Sequence, residues 1–121
     1  MNKIAIIEDE KAERENIKKI ISEHFSGIEI IGETDSVESG FHLIQSKKPE
    51  ILIMDIEIKG GNSFEIIKKI DRIDFKIIWV TAYEKFAVQA FKISAVDFLL
   101  KPFKTAELVA AINKATDKIN H

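Results

Sequence analysis

The chain contains no cysteine. Neither a disulfide framework nor a thiolate metal site is therefore available to it. No apolar run approaches the ~18 residues that a membrane-spanning helix needs. There is no internal repeat, no low-complexity tract and no Gly/Ser/Pro-rich linker. Neither sign of charge dominates: 18 basic against 20 acidic residues give a formal net charge of -2. These residues do not by themselves read as a nucleic-acid binder. The opening "MNKIAIIEDE" runs straight into a strand pattern, so no signal peptide is expected and a cytoplasmic setting is.

What remains is an ordinary globular composition, 45% hydrophobic and 31% charged over 121 residues. That length suits one domain able to bury its own core. Short apolar runs at 3–7, 28–33, 51–54, 76–80 and 95–100 read as strands. The first, third and fourth are continuously apolar, as central parallel strands covered on both faces should be. Helical stripes lie between and after them: Ile17, Ile20, Ile21 and His24; Val37, Gly40, Phe41 and Ile44; Leu108, Ala111, Ile112, Ala115 and Ile119. Asp35 with Glu38 and Asn62 with Glu65 resemble capping boxes, and Thr105 is the expected cap of the last helix. A fourth helix within 83–92 has no capping residue and is short, which marks it as a candidate moving part. Strand–helix alternation predicts a parallel sheet with helices on both faces.

Each of four strands then ends in a polar group. Glu8 and Asp9 follow the first, Asp55 the third, Thr81 the fourth and Lys101 the fifth. In open parallel α/β sheets, ligands bind outside the carboxyl ends of the strands. The pattern therefore gathers three carboxylates, a hydroxyl and an ammonium at one crevice. Two carboxylates ~4 Å apart repel by roughly 4 kcal/mol at an effective dielectric near 20, so something must offset the stack at Glu8, Asp9 and Glu10. Magnesium takes oxygen ligands, usually one or two carboxylates; Asp9 and Asp55 would supply them, with Glu8 outside. A carboxylate can also be a nucleophile, giving an aspartyl phosphate. Lys101 would then neutralise phosphoryl oxygens and Thr81 would donate a hydrogen bond to them.

The motifs "IIEDE" (6–10), "ILIMDIEI" (51–58), "VTA" (80–82) and "AVDFLLKPF" (95–103) stand in one order over nearly the whole chain. In this order the chain resembles the receiver domain of bacterial two-component response regulators. The stretch 80–103 is similar to regulators of the LytTR type, whose receivers precede a DNA-binding output domain. The resemblance implies a flavodoxin-like (CheY-like) (βα)5 fold with strand order 2-1-3-4-5, occupying residues 1–121 with no output domain among them. It implies that a sensor histidine kinase phosphorylates Asp55 in the presence of Mg2+ (or Mn2+). Glu8, Asp9, Asp55 and the backbone carbonyl of Glu57 would hold the metal. Thr81 and Phe98 would be the switch residues, and Lys101–Pro102 a cis peptide. The position after Ile58, usually proline in such domains, is Lys59, and the usual glycine before Phe64 is Ser63.

Such a protein is a signalling switch rather than a metabolic enzyme, at most phosphorylating itself from a donor and losing the group again. Transcription would be controlled through an output domain, and nucleic acid would be bound only there. The apolar fourth helix, with Phe86, Ala87, Val88, Ala90 and Phe91, makes a homodimer through the face of the fourth helix, fifth strand and fifth helix a candidate. Three other readings compete. A haloacid-dehalogenase-type phosphatase needs an Asp two residues after the nucleophile, where this chain has Glu57. A flavodoxin needs a phosphate loop where this chain has Glu8-Asp9-Glu10. A receiver-like interaction module without phosphorylation would leave the filled chemical positions unexplained. Trp79 is expected in the core, and His24, His42 and His121 are expected to be structural, His24 at a helix end with its tip in water.

Overall fold

The computed structural model describes residues 2–93 and 95–120, so His121 lies outside the described residues. Five strands form the sheet: β1 (Asn2–Ile7), β2 (Ile28–Thr34), β3 (Ile51–Asp55), β4 (Lys76–Thr81) and β5 (Ala95–Leu100). Their order is β2-β1-β3-β4-β5, and every pairing is parallel. The expected alternation and strand order both hold. Parallel neighbours need a crossover, and helices supply it. These are α1 (Lys11–His24), α2 (Val37–Lys47), α3 (Phe64–Lys68) and α4 (Ala87–Lys92), with α5 (Thr105–Asn120) closing the chain. No described helix is long and apolar enough to cross a membrane.

The apolar strands split their side chains between two cores, because successive residues of a strand face opposite ways. Ile4, Ile6, Ile51, Ile53, Ile78 and Val80 meet α1 and α5. Ala5, Ile7, Leu52, Met54, Ile77 and Trp79 meet α2, α3 and α4. Trp79 is fully buried in the second core, its ring centroid 4.8 Å from that of Phe64. The edge strand β2 is only partly buried along its length, consistent with its mixed sequence.

The helix ends depart from expectation in detail. Ser36, not Asp35, caps α2: its hydroxyl accepts from the Ser39 N–H at 3.2 Å. Asp35 lies one residue outside, with its carboxylate turned to Lys59 Nζ at 2.9 Å. Thr105 is the first residue of α5 rather than its cap; Glu107 accepts from the Lys104 N–H at 2.8 Å, closing the box one residue earlier. Asn62 acts from just outside α3, where Oδ1 accepts from the Phe64 N–H at 2.8 Å. The fourth helical segment is as short as its sequence implies. A 3-10 turn at Glu84–Phe86 leads into six helical residues, and neither has a side-chain cap. His24 ends α1 exposed, with Nδ1 3.0 Å from the Ile20 carbonyl.

Helix α2 approaches the sheet closely at Gly40, where a Cβ would lie 2.8 Å from Ile66 Cδ1 and 3.2 Å from Ile7 Cδ1. Gly40→Val should therefore cost about 1–3 kcal/mol, the range for overpacking a filled core. Urea denaturation of the two proteins checks this, and an unchanged midpoint would contradict the close packing.

Candidate functional site

The site is assembled at the carboxyl ends of β1, β3, β4 and β5. Strand register does the gathering. Met54 pairs with Ile7 on one side and Trp79 on the other, so Glu8, Asp55 and Val80 lie at one level across three strands. Thr81 pairs with Leu100, and the Lys101 N–H donates to the Thr81 carbonyl at 2.7 Å. Asp55 and Thr81 are the last residues of their strands, while Glu8 and Lys101 are the first residues beyond theirs.

Carboxylate oxygens of Glu8, Asp9, Glu10 and Asp55 lie within 4.8 Å of one another. Lys101 crosses this group. Its Nζ donates to Glu8 Oε1 at 2.5 Å, to Asp55 Oδ2 at 2.9 Å and to Glu10 Oε1 at 3.4 Å. One ammonium thus offsets part of a repulsion that the sequence makes unavoidable. Lys101 bonds to two strongly shielded carboxylates; their side chains are 2% and 9% exposed. Burial alone would lower the Lys101 pKa, but the bonds to Glu8 and Asp55 outweigh it and hold the amine protonated. Burial pushes Glu8 up to about 7, against the pull of Lys101 and of the Glu10 N–H, and with the charge of Asp55 adding to the rise.

The remaining expected residues are also placed. Thr81 is fully buried, and its Oγ1 accepts from the Tyr83 N–H at 3.4 Å. Phe98 pairs with Trp79 across the β4–β5 register and is half-buried, its ring 6.3 Å from that of Phe91. The Lys101–Pro102 bond is cis. Glu57 follows the rim in a small antiparallel ribbon, where Glu57–Ile58 pairs with Gly61–Asn62, and its side chain is exposed.

The loop after β3 accommodates both departures from the receiver pattern. Gly60 and Gly61, at φ +85 and +139, reverse the chain where other residues would be strained. The Lys59 N–H, which a proline would lack, donates to the Asp35 carbonyl at 3.2 Å, and the Lys59 carbonyl accepts from Val37 at 2.9 Å. Ser63 is fully buried in an ordinary right-handed conformation, and its hydroxyl donates to the Asp55 carbonyl. This Ser63 bond fixes the main chain of Asp55 itself.

Glu10, named in the acidic run but given no site role there, adds its carboxylate to the cluster. One contributor was not singled out from the sequence. Arg14 reaches back from α1 to the Glu8 carbonyl at 2.8 Å. No sequence signal distinguished Arg14: Lys11 is a cation still earlier in the same helix, and the partners of Arg14 lie outside that helix.

The donor set is all oxygen and anionic, which suits a hard divalent cation such as magnesium and not a soft metal. A doubly wound parallel domain with an acidic, lysine-crossed crevice at its strand ends is the class of protein defined so far. Residues 4–113 match the response regulator receiver domain family, and the chain belongs to it. It is the receiver domain of a two-component response regulator. The chain is 34% identical over 116 residues to the sensory transduction protein LytT of Bacillus anthracis, covering 94% of this chain and 47% of that protein. It is 33% identical over 109 residues to the transcriptional regulatory protein BtsR of Escherichia coli, covering 89% and 45%. The chain thus spans about half the length of the curated relatives it matches. Among solved structures, the response regulatory domain of protein mrkE from Klebsiella pneumoniae superposes with a TM-score of 0.87 at 27% identity, covering 96% of each chain.

Proposed function

We propose that the domain is a phosphorylatable switch in which Asp55 takes a phosphoryl group from a sensor histidine kinase. The observation that carries this reading is the triangle of Asp55, Glu8 and Lys101, in which one ammonium bridges both buried carboxylates at 2.5 and 2.9 Å. Asp55 Oδ1 accepts from the Ile56 N–H at 2.6 Å, which with the Ser63 bond orients the carboxylate. An Asp55 oxygen attacks phosphorus, the P–N bond to the donor imidazole breaks, and its electron pair returns to nitrogen. Lys101 would follow the growing phosphoryl charge, and the Thr81 hydroxyl would donate to a phosphoryl oxygen. Glu8, Asp9, Asp55 and the Glu57 carbonyl would hold Mg2+ (or Mn2+). When bound, the ion supplies positive charge that draws acceptor and donor oxygens together.

The output follows from the same residues. Drawing Thr81 toward the phosphoryl group vacates space that Phe98 can enter. The 3-10 turn and α4, short and without side-chain caps, have little local stability with which to resist a shift. Tyr83, Val88, Phe91 and Leu100 expose apolar surface there, and a homodimer through α4, β5 and α5 would cover it. The likeness to LytT and BtsR supports an output domain of LytTR type acting on transcription, in the cytoplasm. The receiver itself then has no metabolic turnover.

Incubation with a small phosphodonor and magnesium should add 80 Da to the intact mass. Chelation of the magnesium before the donor is added should abolish the adduct. An adduct that forms equally well in chelator would contradict a metal role for Glu8 and Asp9.

A further inference from the structure

We propose that Arg14 is a positioning residue for the acidic pocket. Its guanidinium donates to the Glu8 carbonyl at 2.8 Å and to Glu33 Oε1 at 3.1 Å, and so fixes the corner from which Glu8 and Asp9 present their carboxylates to a divalent cation. The inference rests on the metal-binding part of the reading above and names a residue outside the cluster that determines its strength.

The edge strand β2 contributes nothing to the carboxylate cluster, yet its end anchors the loop that does. The Glu8 N–H donates to the Thr34 carbonyl at 2.9 Å. Arg14 holds the Glu8 carbonyl, so both main-chain groups of Glu8 are committed. Glu33, the other partner of Arg14, is itself fixed, since Lys18 Nζ lies 2.7 Å from its Oε2. Lys18 in turn bonds to Glu15 at 2.9 Å. The hydrogen bond from Lys18, foremost, keeps Glu33 below the usual carboxylate range and therefore charged. The Arg14 side chain is only 17% exposed, so solvent screens its bonds less than those of a surface pair. A planar guanidinium can serve a carbonyl and a carboxylate in two fixed directions; a lysine amine cannot hold that fork.

Charge alone predicts the opposite outcome. Arg14 is a cation close to a cation site, and removing a merely electrostatic neighbour would tighten metal binding. Loss of positioning weakens it. The sign of the change thus separates the two accounts.

Magnesium affinity is to be measured by calorimetry for the wild type, Arg14→Gln, Arg14→Lys and Glu33→Gln, with urea denaturation of each in chelator. Arg14→Gln should weaken binding about tenfold, the lower end for residues that orient metal ligands. Glu33→Gln should weaken it in the same direction, and Arg14→Lys should not restore it, while the metal-free midpoints stay near wild type. Unchanged or tighter binding in Arg14→Gln overturns the proposal. If Arg14→Gln does not fold, Arg14→Lys decides, because it keeps the charge and loses the fork, and unchanged affinity there overturns the proposal. A wild type that binds no magnesium overturns the metal-binding reading as well, whereas normal wild-type binding with indifferent variants overturns the role of Arg14 alone.

Discussion

Trp79→Ala is expected to remove about 3–5 kcal/mol of stability, the usual cost of truncating a large buried aromatic. Against a typical total of about 5–15 kcal/mol, that brings the domain close to unfolding. Trp79 is fully buried, packs on Phe64, and shares its cluster with Phe86, Ala90 and Phe98. Its loss would open a cavity beneath the short, uncapped α4. Trp79→Phe should behave very differently. The indole Nε1 has no hydrogen-bond partner among the described residues. A buried donor left unpaired costs about 1–3 kcal/mol, so removing it offsets much of the lost volume. The chain has a single tryptophan, so urea unfolding should be followed by far-UV circular dichroism. Equal losses for Ala and Phe would contradict this packing.

Lys101→Met is expected to destabilise the metal-free domain by about 3 kcal/mol at pH 8, since removing one partner of a buried ion pair leaves charge uncompensated. Glu8, Glu10 and Asp55 would then face one another without their ammonium. The deficit should shrink on acidification. Glu8 already stands at about 7 in the folded protein against 4.5 for a free side chain, and it goes higher without Lys101. The folded state therefore binds that proton more readily than the unfolded state. The resulting stability is present at low pH and is lost as pH rises through the folded pKa. Saturating magnesium should recover most of the deficit, and Lys101→Met should bind the ion more tightly than wild type. Urea midpoints at pH 6 and pH 8, with and without magnesium, check the stability statements, and calorimetry checks the affinity. A Lys101→Met protein as stable as wild type at pH 8 in chelator would mean that the amine offsets nothing.

The sheet was legible because parallel strands covered on both faces must be apolar throughout, and runs such as "ILIM" and "KIIWV" can be little else. The rim was legible because a polar residue ends such a run only where the chain leaves the core. Glu8, Asp55, Thr81 and Lys101 all obey that rule and come out at the same end of the sheet. Helix caps were legible to one residue only. Asp35 and Ser36 are both good caps, and the choice between them was made by Lys59, a residue distant in sequence that draws Asp35 away. The ribbon at 57–62 was hidden for a similar reason: it exists because two glycines at positive φ fold the loop back against α2. Arg14 belongs to the same class, since its partners are a carbonyl and an edge-strand carboxylate that only the folded topology brings near.

The most direct test is the intact mass of wild type and Asp55→Asn after the same treatment with phosphodonor and magnesium, followed by peptide mapping. A single adduct on the wild type that maps to Asp55 and is absent from Asp55→Asn is the expected result. An adduct of equal yield on Asp55→Asn, or one that maps elsewhere, would contradict the assignment of Asp55 as the acceptor.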